Sequence, residues 1–157
     1  MNKNYLTQKK HYLFVMLLII LIVPTTSAFK PVILNSDEII EFYSADNVPL
    51  FKGCERSGSR KEDVACFNEK ITKHIKRNFV YPEEAYRKKI EGRVWVTFII
   101  DNAGKVKDIK ANEPNHSKTL EDEAVRIVSL LRKFTPGVHN GKIVNVKYGM
   151  PITFKLH

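Results

Sequence analysis

The sequence predicts an α+β fold in which a three-stranded antiparallel sheet carries helices packed on one face. Every second side chain from residue 94 to residue 100 is apolar and lies on one face, which is the period of a half-buried strand. Apolar side chains between residues 120 and 134 recur every three or four positions, which is the period of a helix with one buried face. The elements follow the order helix, strand, strand, helix, strand. A crossover in that order places the last strand beside the first and leaves it at an edge of the sheet.

Residues 1–28 have the pattern of an export signal or a short membrane anchor. Three lysines precede an apolar run of about 12 residues, Tyr12 to Val23, and a small-residue cleavage pattern follows at 26–28. A spanning helix needs roughly 17–25 apolar residues, so this run is short for one. The uncharged stretch 11–29 is nevertheless long enough to span. Both alternatives stay open, and both make the remainder periplasmic, either released after cleavage or anchored to the inner membrane.

The charge of the chain is basic. The net charge of +9 includes the three lysines of the leader, which leaves +6 on residues 29–157. A basic exported domain can meet anionic membranes, cell-wall polymers or acidic segments of partner proteins. Nucleic-acid binding would need basic residues gathered on one face with stacking aromatics between them. Here Lys and Arg are scattered over predicted helix surfaces and loops, so we expect a solvated surface and no nucleic-acid partner.

The two cysteines, Cys54 and Cys66, both lie outside the leader. An even pair in an exported protein indicates a disulfide. Closing a loop of this size stabilises a fold by about 2–3 kcal/mol. Residues 29–66 are therefore predicted to be a lead-in segment that ends in a disulfide-closed loop. Within it, residues 37–43 are compatible with a short helix or a strand.

The domain itself is predicted to span residues 67–157 and to begin with two helices. Apolar side chains recur every four residues from Phe67 to Phe79, with Asn68 as the expected N-cap. The residues before Pro82 must be extended, so the first helix ends there. A second, short helix begins at Pro82, whose missing N–H suits the first helical turn.

The rest of the domain alternates between strands and a long helix. Gly92 ends the second helix, and two strands follow that are joined by a tight turn at 102–104. The last helix has Thr119 as its expected N-cap and ends at Pro136-Gly137. After a turn at Asn140-Gly141 the alternating pattern returns and continues to the C-terminus as the last strand.

No pattern in the sequence indicates catalysis, a cofactor or a metal site. The HExxH, GxSxG and CxxC groupings are absent. Cys66 and His74 fall near one helix as a potential nucleophile and base, but a disulfide partner for Cys66 argues against that role. Acidic pairs such as Glu83-Glu84 are explained by helix N-termini. For Trp95 two interpretations stay open, a partner contact on the exposed sheet face and packing beneath a helix.

Several short motifs occur in the order and spacing of a known family. They are Tyr81-Pro82, the helix stop Ile90-Glu91-Gly92, the turn Asp101…Gly104, and the closing pattern Phe134-x-Pro136-Gly137…Gly141…Pro151-Ile152-x-Phe154. Over about residues 67–156 the chain resembles the C-terminal domain of TonB, the envelope energy transducer. The resemblance implies a small α+β module whose final strand receives an extended peptide, the TonB box of outer-membrane receptors, by strand addition.

Carried onto this chain, the resemblance makes residues 143–154 the receiving edge strand. The partner-binding positions are then Ile143, Val144, Val146, Tyr148, Ile152 and Phe154. It also implies outer-membrane receptors as partners and inner-membrane, proton-driven motor proteins as the energy source, and it leaves a homodimer through the same edge open. The family's Pro-rich spacer and the Ser and His pair of its membrane helix are absent. A periplasmic adaptor without energy transduction therefore stays open, as does an unrelated exported α+β module.

Overall fold

The computed structural model describes residues 35–115 and 117–156, and the predicted leader, residues 1–28, lies outside the described residues. The helices and strands are, in chain order, β1 (Asn35–Glu41), α1 (Arg60–Asn78), α2 (Glu83–Arg87), β2 (Gly92–Ile100), β3 (Val106–Asn112), α3 (Lys118–Ser129), β4 (Gly137–His139) and β5 (Lys142–Phe154). A single 3-10 turn, Phe42–Ser44, follows β1.

The predicted α+β class is confirmed, but the sheet that the described residues form has five strands instead of three. β5, β2 and β3 are the predicted antiparallel strands in the predicted order, with β2 in the middle. β1 adds parallel to β5, and the short β4 forms a hairpin with the start of β5. The predicted number of strands was wrong, and the sheet is not wholly antiparallel. The sequence does not mark these two strands by alternating apolar and polar residues. In β1 the apolar residues Ile39 and Ile40 are adjacent, and β4 has only three residues.

The helices pack on one face of the sheet, as predicted. The inward side chains of β2, at every second residue from Val94 to Ile100, are at most 1% exposed. They join one core with the buried stripe of α3, which includes Leu120 and Ile127. Phe67 of α1 belongs to the same core. This packing leaves the opposite side chains of β2 directed away from the helices.

Residues 42–50 of the predicted lead-in segment contribute to that core. The buried side chains of this stretch include Phe42, Ala45, Val48 and Leu50, none more than 2% exposed. Backbone bridges join Asn47 to Val138 and Leu50 to Thr135, in the chain that leads into β5. The lead-in segment is thus fastened to the domain both by apolar burial and by main-chain hydrogen bonds.

Cys54 and Cys66 form the predicted disulfide, with 6.1 Å between their Cα atoms. Within the closed loop the side chain of Asp63 is buried and accepts hydrogen bonds from Ser57 N at 3.0 Å and from Arg56 Nη1 at 2.8 Å. Burial acts to raise the pKa of Asp63, but the hydrogen bonds from Ser57 and the charge of Arg56 outweigh it and hold the pKa below its ordinary value. The disulfide and this carboxylate therefore close the loop onto the first two turns of α1.

The first helix begins earlier than the sequence predicts. α1 starts at Arg60 with Ser59 as its N-cap, so the predicted N-cap at Asn68 was wrong. The apolar stripe that identifies this helix begins only at Phe67, because the preceding turns are held by the disulfide loop. Thr119 likewise lies inside α3 instead of at its N-cap. α2 ends at Arg87 and α3 at Ser129, so the predicted ends at Gly92 and at Pro136-Gly137 were also wrong. These errors concern the ends of helices whose existence was predicted correctly.

We expect Asp63→Asn to lower the free energy of unfolding at neutral pH by about 1.5–3 kcal/mol, the range for hydrogen bonds to a charged group. Because the pKa of folded Asp63 lies below its ordinary value of 3.8, the contribution of the carboxylate is present above that pH and is lost as the pH falls below it. Urea unfolding at pH 7 and pH 3 should therefore show a gap between wild type and variant that narrows in acid. Glu62→Gln, an exposed acid in the same turn, is the control. A gap of equal size at both pH values would contradict this account.

Candidate functional site

β5 has different neighbours on its two edges. One edge pairs with β4 through residues 142–144 and with β2 through residues 146–154. The other edge pairs with β1 through residues 143–147. Within residues 35–115 and 117–156, no strand pairs with this second edge beyond residue 147. We call residues 148–154, on the side away from β2, the open edge.

Backbone hydrogen-bonding groups alternate between the two edges of a strand, so the register identifies the residues that serve the open edge. The two-residue turn Asn140-Gly141 joins β4 to β5, with φ of 51° and 72°, and His139 pairs with Lys142 beside it. In a hairpin of this kind the closing pair is hydrogen-bonded. Even-numbered residues of β5 therefore point their N–H and C=O groups to β4 and β2. Odd-numbered residues, Gly149 and Thr153 among them, point theirs to the open edge.

Pro151 lies in the middle of the open edge and fits this alternation. Proline has no N–H and is tolerated in a sheet where no ladder hydrogen bond is lost. It is in register with Trp95 of β2, at an odd-numbered position, so its missing N–H is on the open edge. The open edge thus presents the N–H groups of Gly149 and Thr153, and the carbonyl groups of those two residues and of Pro151.

Most of the predicted partner-binding side chains lie in the core. Val144, Val146, Tyr148, Ile152 and Phe154 are each no more than 7% exposed, and Ile143 is half-buried. The prediction that β5 is an edge over its whole length was wrong, because β1 covers residues 143–147. A peptide that adds to the sheet would meet the backbone of β5, and its contact with these side chains would be limited to the margin of the core. Their part in partner binding stays a prediction.

β1 meets β5 in regular register only through its last three residues. Residues 39–41 pair with residues 145–147, and the register is irregular between residues 35 and 39. Ile40 packs against the core, whereas Ile39 is 53% exposed. The Glu41 carboxylate lies 3.1 Å from Lys147 Nζ, across the strand pair. β1 therefore presents an aliphatic side chain and then an acidic one to β5.

Aromatic rings lie beneath both ends of the open edge. Phe42 marks the point where β1 leaves β5, and its ring centroid is 4.5 Å from that of Phe67 and 4.8 Å from that of Tyr148. Burial is the main cause that raises the pKa of Tyr148 to about 12, so its hydroxyl stays protonated at neutral pH. At the other end the ring of Phe79 lies 5.1 Å from that of Phe154. The inner side of the open edge is therefore lined by aromatic rings.

Trp95 lies on the sheet face away from the helices and is 50% exposed. Its indole lies beside Gly149, where a Cβ atom would be 3.3 Å from Trp95 Cζ2. Gly149 therefore has two roles. Its lack of a Cβ leaves room for the indole, and its N–H is a hydrogen-bond donor at the open edge. Nothing in the alternating pattern of β5 marks this glycine, and the sequence reasoning missed it, as it missed the anchoring role of Phe42.

The cysteine and histidine side chains that sequence analysis considered for catalysis both have structural partners in this protein. The sulfur of Cys66 is bonded to Cys54, and His74 Nε2 lies 2.9 Å from Ile127 O. Among the described residues no group of His, Cys, Asp and Glu is placed to hold a metal ion. The described helices include none with the length and apolar character needed to cross a membrane.

These features define a small α+β domain with an open strand edge and a disulfide-closed N-terminal loop. Residues 77–156 match the family described as Gram-negative bacterial TonB protein C-terminal, and the chain belongs to this family. The family is transport-related and non-enzymatic, is located in the cell envelope, and interacts with outer-membrane receptors in general. The chain is also similar to the C-terminal domain of Helicobacter pylori TonB solved by NMR, at 28% identity and a TM-score of 0.45, over 58% of this chain and 81% of that one. Comparison with curated proteins gave no match.

We expect Phe42→Ala to lower the free energy of unfolding by about 3–5 kcal/mol, because it removes a buried ring from between α1 and β5. Tyr43→Ala is the matched control, since Tyr43 is 64% exposed. Its loss should cost under about 1 kcal/mol. Urea unfolding followed by the fluorescence of Trp95 measures both. Equal costs for the two variants would mean that Phe42 does not anchor the lead-in segment.

Proposed function

We propose that this chain binds extended peptide segments of outer-membrane receptors, their TonB boxes, by strand addition to β5 in the periplasm, in support of energy-dependent transport across the outer membrane. The observation that carries the proposal is the open edge, where β5 has backbone donors and acceptors that no described strand uses. Family membership supports outer-membrane receptors as the partners. The geometry of β5 supports strand addition as the mode of binding.

A peptide laid along the open edge would extend the sheet by one strand. At about 3.3 Å per residue, residues 148–154 offer roughly 20 Å of pairing length. Each main-chain hydrogen bond would contribute about 0.5–1.5 kcal/mol net. Alternate side chains of the peptide would face the aromatic rings beneath the edge, and the others would lie on the face that carries Trp95. Affinity would then come from the main chain and selectivity from the inward-facing side chains.

We expect Thr153→Pro to weaken the binding of synthetic TonB-box peptides by about tenfold, the value of one hydrogen bond at the upper end of its range. The substitution removes an N–H from the open edge and leaves the ladder with β2 unchanged. Thr153→Val keeps the N–H and is the matched control. Titration calorimetry measures the affinities, and thermal unfolding checks that both variants stay folded.

We expect the opposite effect from Pro151→Thr, which adds an N–H donor in the middle of the open edge. Peptide affinity should rise by roughly threefold to tenfold, since one further main-chain hydrogen bond becomes available. Calorimetry with the same peptides measures the change. An unchanged affinity in this variant, together with an unchanged affinity in Thr153→Pro, would contradict addition at the open edge. Dimerisation of the free chain that Thr153→Pro abolishes would mean that a second copy occupies the edge.

A second candidate function is a periplasmic adaptor with the same fold and no energy transduction. The observation that favours it lies in the sequence: the apolar run Tyr12 to Val23 contains neither Ser nor His, and Pro31 and Pro49 are the only prolines between Pro24 and α1. The resemblance to energy transducers implies a Ser and His pair that engages the motor proteins, and a Pro-rich spacer. A chain without these features would bind receptor peptides without passing energy to the receptor.

The adaptor predicts that the mature protein begins at Phe29 and is in the soluble periplasmic fraction. Intact-mass measurement after fractionation of expressing cells tests this directly. A full-length mass in the inner-membrane fraction would contradict the adaptor and support an anchored transducer that is coupled to the proton-driven motor proteins.

A further inference from the structure

We propose that β1 occupies part of the peptide-binding edge of β5 in the free chain, and that a partner peptide of the same chemistry displaces it. The proposal rests on the proposed function, strand addition at β5. It adds the direction, the register and the side-chain chemistry of the partner. The observation that carries it is that β1 and the open edge lie on the same side of β5, one directly after the other.

The direction and register of the partner follow from β1. β1 runs parallel to β5, with residues 39–41 beside residues 145–147, and it bonds to the edge that odd-numbered residues serve. It then turns away at Phe42, where the open edge begins. A parallel partner that took the place of β1 would continue straight along residues 148–154. It would gain main-chain hydrogen bonds that β1 cannot make, and this difference drives the exchange.

The chemistry of the partner follows from the same three residues. An aliphatic side chain is needed at the position of Ile40, which packs against the core. An acidic side chain follows at the position of Glu41, opposite Lys147. The position of Ile39 is half-exposed on the outer face and accepts polar side chains. The partner is therefore an extended peptide with an inward aliphatic residue followed by an acidic one.

β1 can leave β5 without unfolding the domain. The ion pair between Glu41 and Lys147 is exposed, with 66% and 46% of the two side chains accessible, and such pairs hold strands weakly. The chain beyond β1 is fixed independently by the buried ring of Phe42 and by the disulfide between Cys54 and Cys66. Local opening of an end strand while the core stays folded is the ordinary behaviour of such elements.

The test uses the full chain and a synthetic peptide with the sequence of residues 35–42, NSDEIIEF, blocked at both ends. Ile40→Asp places a charge where β1 meets the core and should release β1. Ile39→Asp is the matched control, because that side chain points outward. We expect the peptide to bind Ile40→Asp about tenfold more tightly than wild type, since the acceptor edge is no longer filled. Ile39→Asp should bind it as wild type does.

Two further readouts locate the binding and test its chemistry. Amide hydrogen exchange of residues 143, 145 and 147, whose N–H groups point to β1, should be faster in Ile40→Asp than in wild type and should slow again when the peptide is added. A peptide that carries Asp in place of Ile40 should lose its affinity, whereas one that carries Asp in place of Ile39 should keep it. Equal affinity of the peptide for wild type and for Ile40→Asp, or binding that leaves residues 143, 145 and 147 in fast exchange, would overturn the proposal.

Should residues 143, 145 and 147 stay protected in Ile40→Asp, the double variant Ile40→Asp with Glu41→Lys is measured. Continued protection in that variant would also overturn the proposal, because the contacts of Ile40 and Glu41 would then not be what holds β1 on β5. Competition separates this inference from the proposed function. TonB-box peptides that bind wild type along residues 148–154 without competing with the β1 peptide would leave the proposed function intact and overturn the inference. TonB-box peptides that bind no form of the chain would overturn the proposed function itself.

Discussion

The pairing of β5 with β2 is the contact on which the rest of this structure depends. It runs in unbroken antiparallel register from Gly92 beside Phe154 to Ile100 beside Val146. This register decides which side chains of both strands enter the core and which backbone groups of β5 point away from β2. A slip by one residue would exchange the buried and exposed side chains and would turn Pro151 toward β2, where its missing N–H would break the ladder. The same register therefore determines both the packing of the core and the backbone groups of the open edge.

The lead-in segment covers only the first part of one edge of β5 and leaves residues 148–154 open. β1 covers the first part of the edge, and the buried ring of Phe42 ends that cover. The disulfide and the Asp63 carboxylate hold the chain that follows against α1. An edge strand left wholly uncovered invites pairing with other chains. The cover at one end limits that risk, and the open edge at the other end is where we propose that a peptide binds.

Much of the fold could be predicted from the sequence, because long elements repeat their period often enough to be recognised. β2, β3 and β5 were each predicted close to their observed positions, and the turn at Asn140-Gly141 has the positive φ values that its residues suit. The start of α3 was predicted to within one residue, but its end was predicted too late. β4 was not predicted, and for β1 the sequence left a helix and a strand open, since both strands depend on β5 as a partner and not on their own pattern. The start of α1 was missed because its first turns are fixed by Asp63 and the disulfide, which carry no apolar period.

The candidate site could be predicted only in part, for a physical reason. The alternation along β5 identifies the strand and its buried side chains, including Tyr148 and Phe154. It does not indicate which backbone groups are unpaired, since this depends on where a neighbouring strand ends. Phe42 sets that limit from about a hundred residues away in sequence. Gly149 and Thr153 serve the open edge through their backbone N–H and C=O groups. Their residue types do not indicate this role in the sequence.

Odd-numbered residues of β5 beyond residue 147 have backbone groups that no described strand pairs with, and we infer that a partner peptide takes them up. Residue-resolved amide hydrogen exchange, measured with and without a saturating TonB-box peptide, tests this inference. We expect fast exchange at Gly149 and Thr153 in the free chain, strong slowing at both when the peptide binds, and slow exchange at Met150 and Ile152 throughout. Slow exchange at Gly149 and Thr153 in the free chain, or fast exchange at both in the saturated complex, would contradict it.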